Sequence, residues 1–202
     1  YPDLFTVTNI KTDGKRSETE NAAQQWHSDQ SFLPVPARAS LLRCVHAPQY
    51  GGDTMFANMF QAYEALSEGL RATLEPLRAF HSLFSSRTLA SIGRKPFSSV
   101  QEGELQQLVV RRHEDTGRKV LFVSEQMVDH FEGWSVADSA PLLDYLFWLS
   151  VRPAHTYRHR WRPGDIIFWD NRSVMHYAPI DYDFAMLDAP ENRRLMFRST
   201  LA

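Results

Sequence analysis

The segment Gln25-Trp26-His27-Ser28-Asp29 sets an imidazole and a carboxylate two residues apart. On an extended chain both side chains leave the same face, so they can share one ion. A third ligand has to come from a distant strand, and His176, in Trp169-Asp170-Asn171-Arg172-Ser173-Val174-Met175-His176, lies in the C-terminal group of strand-like segments where such a partner is expected. Two histidines and one carboxylate on one face leave three positions of an octahedral ferrous ion open, enough for a bidentate cosubstrate and dioxygen. Zinc accepts the same set with a water, so ligand identity alone does not fix the metal. A His-x-Asp taken alone is weak evidence, and most histidines in a chain are structural.

Other side chains are read against bland alternatives. Arg193, Arg194 and Arg198 would form a solvated strand edge if nothing else accompanied them. Arg194 and Arg198 are four apart, which on a strand places both on one face. Cys44, the one cysteine, sits in the apolar run Leu41-Leu42-Arg43-Cys44-Val45 and reads as a buried strand residue rather than a nucleophile. It cannot form an internal disulfide, which points to a reducing, cytoplasmic setting. His46, His81, His113, His130, His155 and His159 read as structural or surface groups, and Trp26, Phe32 and Trp169 as packing residues.

The elements that must position these groups are short. Strands are expected at Leu4 to Asn9, Ser40 to His46, Thr54 to Asn58, Val120 to Val123, His155 to Trp161, Asp165 to Trp169, Val174 to Tyr177 and Leu195 to Leu201. Turn sequences stand at Lys11-Thr12-Asp13-Gly14-Lys15, Tyr50-Gly51-Gly52-Asp53 and Asp115-Thr116-Gly117-Arg118. Apolar residues at three- and four-residue steps predict one helix over Met59 to Leu77, with Pro76 near its end, and another over Val136 to Ser150, with Pro141 in its first turns. Residues Arg16 to Gln25 read as a polar loop, and His81 to Gln107 as a loop or lid with a short helix at its end.

Many short strands with two helices confined to connections give a mainly β fold with external helices, a β-sandwich or jelly roll. The 202 residues, 43% hydrophobic and 23% charged, suit one domain with a sizeable core. A net charge of -2 offers no sign of the basic surface that neutralises many phosphates. No stretch reaches the roughly 18–20 apolar residues needed to cross a bilayer, so neither membrane nor nucleic acid is an expected partner. The strand-like start without methionine is read as a domain that lacks an N-terminal portion.

Context strengthens the ligand motif. Trp26-His27-Ser28-Asp29 followed by Tyr50-Gly51-Gly52-Asp53-Thr54, then Pro163-Gly164-Asp165-Ile166-Ile167-Phe168-Trp169-Asp170-Asn171-Arg172 leading to His176, then Arg193-Arg194-Leu195-Met196-Phe197-Arg198, resembles the taurine dioxygenase and 2,4-dichlorophenoxyacetate dioxygenase family from about Tyr1 to Leu201. The resemblance implies a double-stranded β-helix of jelly-roll type and an Fe(II)- and 2-oxoglutarate-dependent dioxygenase that consumes O2, releases succinate and CO2, and hydroxylates a small anionic substrate of sulfonate, sulfate ester or aryloxyalkanoate type. It implies Fe(II) ligation by His27, Asp29 and His176, and 2-oxoglutarate binding by Thr54 and Arg194. Arg198 would face an anionic substrate group, Tyr1 and Met127 would line the substrate pocket, and a homo-oligomer is expected by analogy.

Two departures stand out: Met127 replaces an aromatic wall residue, and the connection from His176 to Arg194, through Asp183 to Pro190, is longer than usual. Asp29 argues against the related halogenases, in which a small residue replaces the carboxylate. The competing class is a non-oxygenase metal-binding jelly roll, either a zinc hydrolase or a small-molecule binding protein, which leaves Thr54 and Arg194 without a purpose.

Overall fold

The computed structural model describes residues 4–11, 13, 15, 23–91, 105–179, 181 and 189–201. Twelve strands and four α-helices are assigned among them. In chain order the strands are β1 (Phe5–Thr8), β2 (Ala39–His46), β3 (Thr54–Asn58), β4 (Arg78–His81), β5 (Leu105–Leu108), β6 (Val110–Arg112), β7 (Lys119–Leu121), β8 (Val128–Phe131), β9 (Thr156–His159), β10 (Ile166–Asp170), β11 (Val174–Tyr177) and β12 (Leu195–Leu201). The helices are α1 (Met59–Glu64), α2 (Glu68–Leu74), α3 (Ser86–Ser91) and α4 (Val136–Ser150).

Every described pairing is antiparallel. A four-stranded sheet runs β1-β12-β2-β10, and a three-stranded sheet runs β11-β3-β9. Between them lies a small core of Leu42, Cys44, Phe56, Trp161, Trp169 and Met196, contributed by both sheets. This is the jelly roll expected from the sequence. A larger core, with Leu74, Phe131, Leu143 and Leu146 at its centre, joins the helices to the β5-β4-β8 sheet and the β6-β7 hairpin. No helix among the described residues is long and apolar enough to cross a membrane.

The structure corrects the expected helix over Met59 to Leu77 and the expected loop over His81 to Gln107. The helix expected over Met59 to Leu77 is two helices, because Ser67 leaves the helical conformation (φ -64, ψ 157) and its side chain accepts from Leu70 N, starting α2 as an N-cap. The apolar spacing persists across the break, so periodicity alone hides it. The region read as a loop from His81 to Gln107 instead begins at the end of β4 and ends inside β5, with its short helix, α3, near its start. These strands are held by pairing with each other and with β8, a non-local effect with little local signal. Residues 92–104 of that region, most of the polar stretch before Gln25, and most of the connection ahead of Pro190 lie outside the described residues.

The turn after β10 is fixed by ions. Arg172 Nε and Nη2 donate to the two oxygens of Asp170 at 2.9 and 2.6 Å, and His113 Nε2 lies 2.9 Å from Asp170 Oδ2. Asp115 joins Arg172 (2.7 Å) to Arg38 (3.0 Å). Partial burial alone would raise the Asp170 carboxyl, but the bonds from Arg172 and His113 outweigh it and hold the group at about 2. A depressed carboxylate stabilises the fold fully above its ordinary value of 3.8, and that contribution is lost as pH falls toward about 2. Urea unfolding of Asp170→Asn should therefore show lower stability than wild type at neutral pH and a shallower loss between about pH 4 and 2.

Candidate metal centre

His27 and His176 are brought together by backbone pairing. His27 N donates to His176 O at 3.1 Å and His176 N to His27 O at 2.8 Å, an isolated antiparallel bridge beside the β11–β3 ladder. The two rings lie 4.1 Å apart. Asp29 does not continue a strand as the sequence reading assumed. It opens a turn whose next residue, Gln30, has φ 56. Side-chain alternation nevertheless holds over these residues, because Ser28 turns away to donate to Val174 O at 2.9 Å.

The three ligand atoms lie within 4.8 Å of one another, and all three residues are buried. Asp29 Oδ1 is 3.8 Å from His27 Nε2 and 3.9 Å from His176 Nε2. His27 Nδ1 faces Gln25 O at 2.8 Å; a carbonyl only accepts, so Nδ1 carries the proton and Nε2 presents its lone pair to the centre. Burial lowers both histidines, His176 to about 3, which keeps the imidazoles neutral as ligands must be. Burial alone would raise Asp29, but the His176 ring, the Arg198 guanidinium, the His27 ring and the Ser40 hydroxyl outweigh it and keep the carboxylate ionised. Two neutral nitrogen donors and one anionic oxygen converge there, so the residues present fit a divalent cation. Among the described residues this is the one such convergence of His, Cys, Asp and Glu.

The centre opens into a cavity of about 950 Å³ that is also lined by Thr54, Met127, Trp169, Arg194 and Arg198. Thr54, at the start of β3, is 1% exposed, and its Oγ1 accepts from Trp161 Nε1 at 2.9 Å. An indole only donates, so the threonine's own proton is left for the cavity. Arg194 stands just before β12. Its backbone N donates to Asn9 Oδ1 at 2.7 Å and its Nε to Gly52 O at 3.1 Å. Gly52 is held in turn by Asp181, whose Oδ1 accepts from its N–H at 2.6 Å, and Asp181 and Asp53 both bind Arg158. Gly51 and Gly52 have φ of +71 and +68, and a Cβ on Gly52 would meet Pro48 at 2.8 Å, so the turn that aims this carbonyl requires glycine.

Arg198, on β12, lines the same cavity as Arg194, although Arg194 stands before the strand and the register shifts between Leu195 and Met196, so strand alternation is not what brings them there. Its Nη1 donates to Asp29 Oδ1 at 3.1 Å, and its guanidinium lies 4.8 Å from the Phe5 ring. Met127 is buried, and its sulfur accepts from Ser31 Oγ at 3.0 Å. Tyr1 lies outside the described residues. Cys44 is fully buried, with its thiol pushed up to about 11 by burial, as befits a packing residue.

Sequence reasoning assigned no role to Ser40, Asn9 or Gly52, or to Asn171 within its motif. Only Gly52 carried a signal, as part of a glycine pair preceding the threonine. Ser40 and Asn9 act through strand neighbours distant in sequence, which no local pattern displays.

The sequence model of the family described as "Taurine catabolism dioxygenase TauD, TfdA family" matches residues 1–200. The chain is 39% identical over 186 residues to an alpha-ketoglutarate-dependent 2,4-dichlorophenoxyacetate dioxygenase of Cupriavidus pinatubonensis, covering 87% of this chain and 64% of that protein. It is 36% identical over 184 residues to an alpha-ketoglutarate-dependent sulfate ester dioxygenase of Pseudomonas putida, covering 86% of this chain and 59% of that protein. The chain thus spans about three fifths of the length of these relatives. The crystal structure of AAD-2 in complex with Mn(II) and N-oxalylglycine superposes with a TM-score of 0.85 at 32% identity, covering 98% of this chain and 73% of that one. With its jelly roll, its converging His-Asp-His set and a family match along nearly its whole length, the chain belongs to the TauD/TfdA dioxygenase family.

Proposed function

We propose that residues 1–202 form a single catalytic domain of an Fe(II)- and 2-oxoglutarate-dependent dioxygenase that hydroxylates a small anionic substrate and releases succinate and CO2. The observation that carries this reading is the opening of the His27, Asp29 and His176 cluster into the same cavity as Thr54 and Arg194. A metal-binding hydrolase has no use for a buried guanidinium and a buried hydroxyl donor beside the ion; a dicarboxylate cosubstrate has.

His27, Asp29 and His176 would hold Fe(II) from one side, leaving three positions toward the cavity. When bound, iron and 2-oxoglutarate supply the activation of O2. The chain's own residues bind and orient. Arg194 pairs with the far carboxylate of 2-oxoglutarate, and Thr54 donates its free proton to the same group. The Gly52 carbonyl fixes the tilt of the guanidinium. Leu42, Phe32, Phe84 and Trp169 line the cavity with apolar surface, which strengthens the charged contacts by excluding water. Arg198 and Met127 would meet the primary substrate, with Tyr1 assigned to the same wall on family resemblance alone. The names of the relatives support aryloxyalkanoates and sulfate esters as the first classes to try, with sulfonates beside them. The same reading takes the protein as a cytoplasmic homo-oligomer that acts without nucleic acid or membrane, and light scattering measures the subunit count.

The deciding experiment is anaerobic titration of metal-free protein with Fe(II) and 2-oxoglutarate, then exposure to O2 and a succinate assay across aryloxyacetates, alkyl sulfates and alkyl sulfonates. A weak visible charge-transfer band and substrate-stimulated succinate are expected. Bound metal with no band would favour the non-oxygenase reading.

Arg198→Ala should raise KM for the anionic substrate by roughly 10–100-fold, the loss of a charged hydrogen bond, and leave KM for 2-oxoglutarate unchanged. The opposite pattern would remove Arg198 from the substrate side. Gly52→Ala should do the reverse, raising KM for 2-oxoglutarate by displacing the carbonyl that aims Arg194. Strain at its positive φ should also cost about 1–3 kcal/mol of stability in denaturant titration.

A further inference from the structure

The protein treats the two oxygens of Asp29 differently. Oδ1 faces both imidazoles. Oδ2 is turned away from them and accepts from Ser40 Oγ at 2.7 Å. That hydroxyl is itself held, because Asn171 Nδ2 donates to Ser40 Oγ at 2.9 Å and Trp169 Nε1 donates to Asn171 Oδ1 at 2.8 Å. Asp29 N also reaches Asn171 Oδ1, at 3.4 Å. Exposures are 0% for Ser40, 1% for Asn171, 5% for Trp169 and 6% for Asp29, so protein partners rather than bulk solvent satisfy this network.

The direction of every bond follows from one residue. An indole N–H can only donate, so Trp169 fixes the amide oxygen of Asn171 toward itself and the amide N–H toward Ser40. Ser40 Oγ then already accepts a proton, and its own single proton is left for Asp29 Oδ2. The fold supplies the placement, since Trp169 and Ser40 face each other in the β10–β2 ladder and Asn171 follows β10 directly. None of the three relay side chains is in the ligand set.

We propose that Trp169, Asn171 and Ser40 form a positioning relay that keeps Asp29 a one-oxygen ligand through Oδ1. A carboxylate free to turn can bind a cation through both oxygens. Here that would take a position which 2-oxoglutarate or O2 needs. By occupying Oδ2, the relay keeps three positions available and points Oδ1 at the two imidazoles. This inference rests on the dioxygenase reading of the site, and it concerns cosubstrate access rather than metal affinity alone.

The test uses the whole chain, with Mn(II) binding followed by the electron paramagnetic resonance signal of the free ion. 2-Oxoglutarate binding to the Mn(II)-loaded protein is then measured by calorimetry, and the anaerobic Fe(II)–2-oxoglutarate band is recorded. Ser40→Ala removes the donor to Oδ2, and with it the acceptor of the Asn171 amide. Asn171→Asp is nearly isosteric but cannot donate when ionised, so it draws the serine proton to itself and reverses the relay. Both variants should retain Mn(II), bind 2-oxoglutarate roughly 10–100-fold more weakly, and show a shifted or weakened band, although Thr54 and Arg194 are untouched. Trp169→Phe, which keeps an aromatic side chain but removes the N–H along with part of the indole, should shift the same readouts in the same direction, and it serves if either other variant fails to fold. Wild-type 2-oxoglutarate affinity and band in folded Ser40→Ala and Trp169→Phe would overturn the relay. So would weakened Mn(II) binding with unchanged 2-oxoglutarate affinity, which would assign the network to metal affinity instead. A wild-type protein that binds Mn(II) but gives no Fe(II)–2-oxoglutarate band would remove the dioxygenase reading itself, and the relay with it.

Discussion

Two backbone hydrogen bonds, exchanged between His27 and His176, are the constraint on which the rest of the site depends. They join two distant stretches of chain at the one point where both carry an imidazole, and they make the separation of the rings a property of strand pairing rather than of side-chain choice. The β11–β3 ladder extends the same order sideways: His176 lies opposite Phe56, two residues beyond Thr54 on the same strand. A site assembled this way draws its rigidity from backbone bonds between two buried residues.

Charge is the second constraint. Burial discourages every ionised group, and the site answers by leaving both histidines neutral and surrounding the one carboxylate with donors. Arg198 supplies the nearest fixed positive charge, so without a cation at the centre Asp29 still has a counter-ion. The same guanidinium packs against Phe5 of β1, an edge strand of the larger sheet, and β1 pairs with β12, so the carboxylate's counter-ion also joins these two neighbouring strands.

What could be read from the sequence divides along physical lines. The bounds of β3, β11, β12 and α4 were legible because alternation and helical spacing are local signals. The break at Ser67 was not, since a serine cap leaves the apolar spacing intact. Nor were β4, β5 and β8, short strands defined by their partners. In the site, the residues carrying ligand chemistry stood out by type and order, and the structure gathers them in one cavity. Ser40, Asn9 and Asn171 remained silent because their roles exist only once strands from opposite ends of the chain meet. The relation of His27 to Asp29 was expected for a simpler reason than the true one: a single bridge followed by a turn does what a strand was expected to do.

The cavity is lined by two sets of residues with different attachments. One set stands on or beside the paired strands β2, β3, β10, β11 and β12, whereas Leu83, Phe84, Thr88 and Met127 come from segments outside those ladders. Change in the first set disturbs hydrogen bonds that several strands share; change at Leu83, about half exposed, alters mainly what fits. A lineage built on this plan can therefore explore new ligands by drift at a few positions of the second set while the His-Asp-His cluster stays intact, and a laboratory seeking a new specificity would search that set first.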